Sequence, residues 1–99
     1  EGYILLRSQG CIACHSIDGT RLVGPSFLGV FGSQRNVVTS SGEKTVTADE
    51  KYIINSIYEP DDEVVAGFAK GLMKSYKGII TEDQLPIITD YLKTLKGNN

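Results

Sequence analysis

The chain has 99 residues, 40% of them hydrophobic, with 10 Lys and Arg against 12 Asp and Glu and a formal net charge of −2. That length allows one domain with a small core, to whose stability a large buried apolar group would matter. The near-neutral balance excludes the basic footprint of a nucleic-acid binder, and there is no repeat, low-complexity tract or apolar run long enough to cross a bilayer.

The chain starts at Glu1, without Met and without a signal-peptide pattern, and is expected to be a single domain over 1–99, processed or excised from a larger subunit. Tyr3, Ile4, Leu5 and Leu6 predict a short helix that ends at Gly10. Cys11-Ile12-Ala13-Cys14-His15 follows at once. C-x-x-C-H is the spacing at which a polypeptide attaches haem covalently: the thiols bond the two vinyl groups, and the adjacent imidazole can supply an axial bond to the iron. Other uses of these residues ask for more than the chain offers. Zinc usually takes four Cys or His ligands, and two Cys and one His are present. A thioredoxin-like dithiol would follow a strand in a βαβ unit, whereas a helix is predicted before Cys11. A disulfide between cysteines this close would staple little of the chain.

From Gly19 to Gly42 the sequence is rich in Gly, Ser and Asn, with Gly24-Pro25 as a turn signal, and irregular structure is expected. A short β-hairpin over Val37 to Val46 stays open, because Val37-Val38-Thr39 and Lys44-Thr45-Val46 flank a Ser-Gly turn signal. Thr47-Ala48-Asp49-Glu50 fits a capping box, and Ile53, Ile54 and Ile57 then share one helical face. Pro60 should end that helix. Asp61, Asp62 and Glu63 are expected at the positive start of another, before Val64, Val65 and a stopping Gly67. The last helix has a second capping box, Thr81 to Gln84, tolerates Pro86 near its start, and carries a stripe of Leu85, Ile88, Tyr91, Leu92 and Leu95. The fold class expected is all-α, with three to five helices and long loops wrapped around one covalently bound haem.

Met73 is the only methionine and His15 the only histidine. Given a haem, the thioether of Met73 is the expected second axial ligand, a soft neutral donor that favours ferrous iron, with Lys ligation or an open site as the rivals; a flexible core filler is the ordinary role of a lone methionine.

Gly10-Cys11-x-x-Cys14-His15-Ser16, Gly24-Pro25-Ser26, Thr47-Ala48-Asp49-Glu50-x-Tyr52-Ile53, Ser56-Ile57, Pro60, Gly67-Phe68 and Met73 together resemble the class I cytochrome c domain. More narrowly, they resemble the cytochrome c domain at the C-terminus of subunit II in caa-type haem-copper oxidases. Lys74 departs from that pattern, where Pro usually follows the methionine ligand. The resemblance implies haem c with its iron as cofactor, Cys11 and Cys14 as attachment sites, and His15 and Met73 as metal ligands. It also implies that the Pro25 carbonyl accepts a hydrogen bond from His15, that Tyr52 tunes Met73 or a propionate, and that Arg35, in the loop between motif and helix, binds a propionate. A turn, a core aromatic and a solvated Arg are the ordinary roles of the same three residues. Phe27, Leu28, Val30, Phe31, Leu72 and Ile79 are expected in the apolar haem wall.

The function so implied is one-electron transfer with no catalysis by the domain alone. The donor would be a small cytochrome, an iron-sulfur protein or a quinol-oxidising complex, and the acceptor the copper centre of cytochrome c oxidase. Lys70, Lys74 and Lys77 would form a positive rim for an acidic redox partner. Covalent attachment implies maturation in the periplasm or on the outer face of the bacterial cytoplasmic membrane, with the membrane anchor outside this chain. A free soluble cytochrome c and a ligand-binding or peroxidatic haem protein are the alternatives.

Overall fold

In the computed structural model, which describes residues 1–96, α1 (Gly2–Ser8) leads within two residues into the single turn α2 (Cys11–Cys14). The Gly2 backbone packs directly on α4 (Leu85–Lys93): a Cβ on Gly2 would come within 2.8 Å of Tyr91 Cγ and 3.0 Å of the Ile87 carbonyl oxygen. Only glycine permits so close a crossing. Leu6 of α1 and Ile88 and Leu92 of α4 are buried there, each worth about 1.5–3 kcal/mol by removal from water. The outer positions Tyr3 and Ile4 remain exposed, so α1 buries one stripe.

Between α2 and α3 (Glu50–Tyr58) the chain forms an antiparallel hairpin of β1 (Gln34–Thr39) and β2 (Gly42–Thr47). The two-residue β3 (Val64–Val65) pairs with the other edge of β1, giving the order β2-β1-β3, with Val37 opposite both Lys44 and Val65. The all-α expectation is therefore corrected to helices plus a small sheet. The irregular stretch expected up to Gly42 already contains β1. Gln34, Arg35 and Asn36 conceal that strand, because Gln34 and Asn36 face outward and the inward position between them is itself the polar Arg35, which leaves Val37 as the one fully buried position.

The segment after Pro60 is also not the expected helix. β-Branched Val64 and Val65 find a free edge on β1, and the Ala66 N–H extends the pairing by donating to Asn36 O at 2.8 Å. Helix α3 ends at Tyr58, just ahead of Pro60 as expected, but its cap is Asp49: the Asp49 carboxylate accepts the Tyr52 N–H at 2.8 Å, while Thr47 belongs to β2. Of the box predicted at Thr81, one half forms, with Gln84 Oε1 accepting the Thr81 N–H. Helix α4 then starts at Leu85, with Pro86 in its first turn.

The core consists of Leu6, Val30, Ala48, Ile53, Ile57, Tyr76, Ile80, Leu85, Ile88 and Leu92, with Cys11, Phe27, Tyr52 and Met73 among the half-buried residues packed on it. No described helix is long and apolar enough to cross a membrane.

Asp49→Ala is expected to cost about 1 kcal/mol in urea unfolding, whereas Thr47→Ala stays within about 0.5 kcal/mol; equal effects would mean that the helix is capped from Thr47.

Candidate functional site

Most of the core side chains have a second role. Leu6, Val30, Ile53, Ile57, Tyr76, Ile80, Ile88 and Leu92 also line a cavity of about 470 Å³. The cavity opens to solvent on one side, and a concave, mostly apolar cleft of this size is the usual form of a cofactor or ligand site. Cys11, Cys14, His15, Pro25, Arg35, Tyr52 and Met73 all line it. The seven predicted site residues thus face a single cavity.

Helix α1 delivers the attachment motif to the cavity edge, and α2 sets the two cysteines one turn apart as half-buried free thiols. Burial pushes the Cys11 thiol up, a shift opposed by a hydrogen bond from its own backbone and reinforced by Cys14. His15, directly after α2, is fixed from three sides. Its Nδ1–H donates to the Pro25 carbonyl at 2.7 Å, which leaves Nε2 as the nitrogen able to ligate. Phe27 stacks on the imidazole face at 4.5 Å between ring centroids and 12° between planes. On Gly24, a Cβ would lie 2.7 Å from Nδ1 and 2.9 Å from Nε2. Burial lowers the His15 pKa, and the Pro25 bond partly counters it, so the ring is biased toward the neutral form that binds metals.

Arg35 is on β1 rather than in a loop, with its Nε donating to Ser33 Oγ at 2.8 Å. Tyr52, on α3, is half-buried, and burial raises its pKa against a Ser56 hydrogen bond and the nearby Arg35 charge. Arg35 and Lys74 bring positive charge to the lining, Asp61 and Glu63 negative charge, and Lys44 pairs with Glu63 at 3.2 Å.

Of the expected wall residues, Phe27, Val30 and Leu72 line the cavity. Leu28, Phe31 and Ile79 do not: Phe31 packs on the core with Lys93 Nζ 5.0 Å from its ring centroid, and Ile79 is exposed. The lysine rim also changes. Lys77 is paired with Glu59, which leaves Lys70 and Lys74 without an acidic partner among the described residues.

Two contacts escape any local reading of the sequence. Tyr76 Oη donates to Gln9 O at 2.6 Å, tying the segment after Met73 to the link between α1 and the attachment turn. Arg21 donates to Gly67 O at 2.6 Å and sits 4.0 Å over the Phe68 ring, joining the His15 side of the cavity to the segment ahead of Met73. Their partners lie 67 and 46 residues apart, and nothing in spacing or composition signals them. Among the described residues no group of three or more His, Cys, Asp or Glu side chains gathers around a metal position.

The family model for cytochrome c matches residues 1–96. No curated protein matches the chain.

Gly24→Ala should force the His15 ring off its seat and destabilise the haem-loaded protein by about 1–3 kcal/mol, as overpacking does. Chemical denaturation followed by circular dichroism measures this, and an unchanged midpoint would show that the ring has room to yield.

Proposed function

The chain belongs to the cytochrome c family, binds one covalent haem c with its iron and serves haem-based electron transfer; we propose that His15 and Met73 are the axial ligands of that iron. The observation that carries this is the convergence of Cys11, Cys14, His15 and Met73 on one apolar cavity. Bound haem supplies a one-electron ferric/ferrous couple.

The protein's own residues do the rest. Cys11 and Cys14 hold the group through thioethers. Pro25, Phe27 and Gly24 fix the His15 ring, so that ligand geometry changes little when the charge changes. The Met73 thioether favours the reduced state, and the apolar wall of Leu6, Ile53, Ile57, Ile80 and Leu92 excludes water and disfavours the more charged ferric state. Arg35 and Tyr52 both line the cavity, and in this reading Arg35 binds a propionate by charge while the Tyr52 hydroxyl tunes Met73 or a propionate. His15 and Met73 would together hold the iron, and a domain whose iron is so held would carry electrons rather than bind a substrate.

We further propose that the domain is the electron-entry module of subunit II of a caa-type haem-copper oxidase. It would accept electrons from a small cytochrome, an iron-sulfur protein or a quinol-oxidising complex, and pass them to the subunit's copper centre. The sequence pattern across Gly10–Ser16, Thr47–Ile57 and Gly67–Met73 supports that reading, as does the need to attach haem outside the bacterial cytoplasm. An antibody against the domain tests it. A heavy, membrane-bound native polypeptide supports the oxidase reading, and a soluble product of this chain's mass plus one haem makes the protein a free carrier.

Potentiometric titration of the haem-loaded protein should show a single reversible one-electron couple, and the ferrous form should not bind carbon monoxide until Met73 is replaced by Ala. Tight carbon monoxide binding by the parent would favour an open-site haem protein. Reduction by an acidic partner should slow as ionic strength rises, and Lys70→Glu with Lys74→Glu should slow it at low salt far more than Lys77→Glu, whose charge Glu59 already offsets.

A further inference from the structure

Met73 lies in a segment, 66–84, that contains neither helix nor strand. Its neighbours give it little apolar anchorage, since Leu72 is 63% exposed and Lys74 is at the surface. The backbone on both sides of it is instead tied down by side chains. Two residues before Met73, the Gly71 N–H donates to Asp61 Oδ1 at 2.9 Å. Two residues after it, Ser75 Oγ donates to the Tyr58 carbonyl at 2.6 Å.

Both anchors come from one place. Tyr58 is the last residue of α3, whose final carbonyls have no partner within the helix, and Asp61 stands in the turn directly after it. Ser75 satisfies one such carbonyl, and the Tyr76 N–H satisfies the preceding one, Ile57 O, at 3.0 Å. The Asp61 carboxylate makes the other tie charge-assisted and therefore stronger than an amide–amide bond. A single rigid helix end thus holds the methionine segment at two points that bracket the thioether.

We propose that Asp61 and Ser75 are positioning residues that keep Met73 on the iron and set how often the sixth position opens. The proposal rests on the assignment of Met73 as an axial ligand. Two measurements on the haem-loaded full chain test it: the absorption feature of sulfur bound to ferric iron, and the rate at which cyanide enters the ferric protein. Asp61→Ala and Ser75→Ala should each raise the cyanide rate by about tenfold, the equivalent of one lost hydrogen bond that is charge-assisted or short. Asp61→Asn, which keeps an acceptor oxygen but loses the charge, should fall between Asp61→Ala and the parent, and Ser75→Thr, which keeps the hydroxyl, should stay near the parent rate. The sulfur–iron feature should persist in all four before cyanide is added. Rates within about twofold of the parent in both Ala variants overturn the proposal and leave Met73 ligation standing. A parent protein without the sulfur–iron feature overturns Met73 ligation and this proposal with it. If Asp61→Ala fails to load haem, Ser75→Ala and its rescue by Ser75→Thr decide the question.

Discussion

The apolar side chains that hold α1, α3 and α4 together also form the wall of the cavity. Leu6, Ile53, Ile57, Ile88 and Leu92 each face a neighbouring element on one side and the cavity on the other. A chain of 99 residues has little core to spare, and here a large part of it is arranged around a guest. Packing and cofactor binding are therefore one energetic quantity in this fold. A substitution in the wall loosens helix contacts and the haem seat together, and the bound group stabilises the native state because the unfolded chain has no cavity to offer it.

The cavity is built unevenly. On the His15 side, a carbonyl, an aromatic face and a glycine backbone leave the imidazole almost no freedom. On the Met73 side the chain is irregular: Met73 and Tyr76 pack on the core, and hydrogen bonds to the end of α3, to Gln9 and from Arg21 hold the backbone around them. The imidazole is thus seated by close packing on three sides, whereas the methionine segment has no helix or strand of its own and relies on ties to other elements. Segments of that kind are where local opening of a fold is drawn from.

The attachment residues were the most legible part of the chain, because Cys11, Cys14 and His15 work at a fixed local spacing that one short stretch displays in full. The last helix was legible for a similar reason: Leu85, Ile88 and Leu92 recur with helical period, and all three are buried. The misreadings share a cause. Val64 and Val65 became a strand because β1 offered an edge, a tertiary fact invisible in residues 61–67. Gln34, Arg35 and Asn36 are polar in succession, so no apolar–polar alternation marked the first half of β1. Asp49 displaced Thr47 as the cap because the hairpin had already claimed Thr47. Within the site, the Pro25 carbonyl could be expected beside His15, while the Phe27 stack and the Arg21 tie to Gly67 depend on how distant loops fold back.

The contact between α1 and α4 joins the two ends of the described chain, and the Tyr76–Gln9 bond spans most of the same distance. Contacts this remote must overcome the entropy of closing a long loop before they contribute anything. The cavity wall consequently does not exist until the chain is nearly folded. Cys11, Cys14 and His15, by contrast, are neighbours in sequence and are together even in an extended polypeptide. Covalent capture of the haem therefore requires no native structure, and assembly can run in one order: the group is fixed to a short exposed stretch first, and the two ends of the chain then close the wall around a passenger already on board.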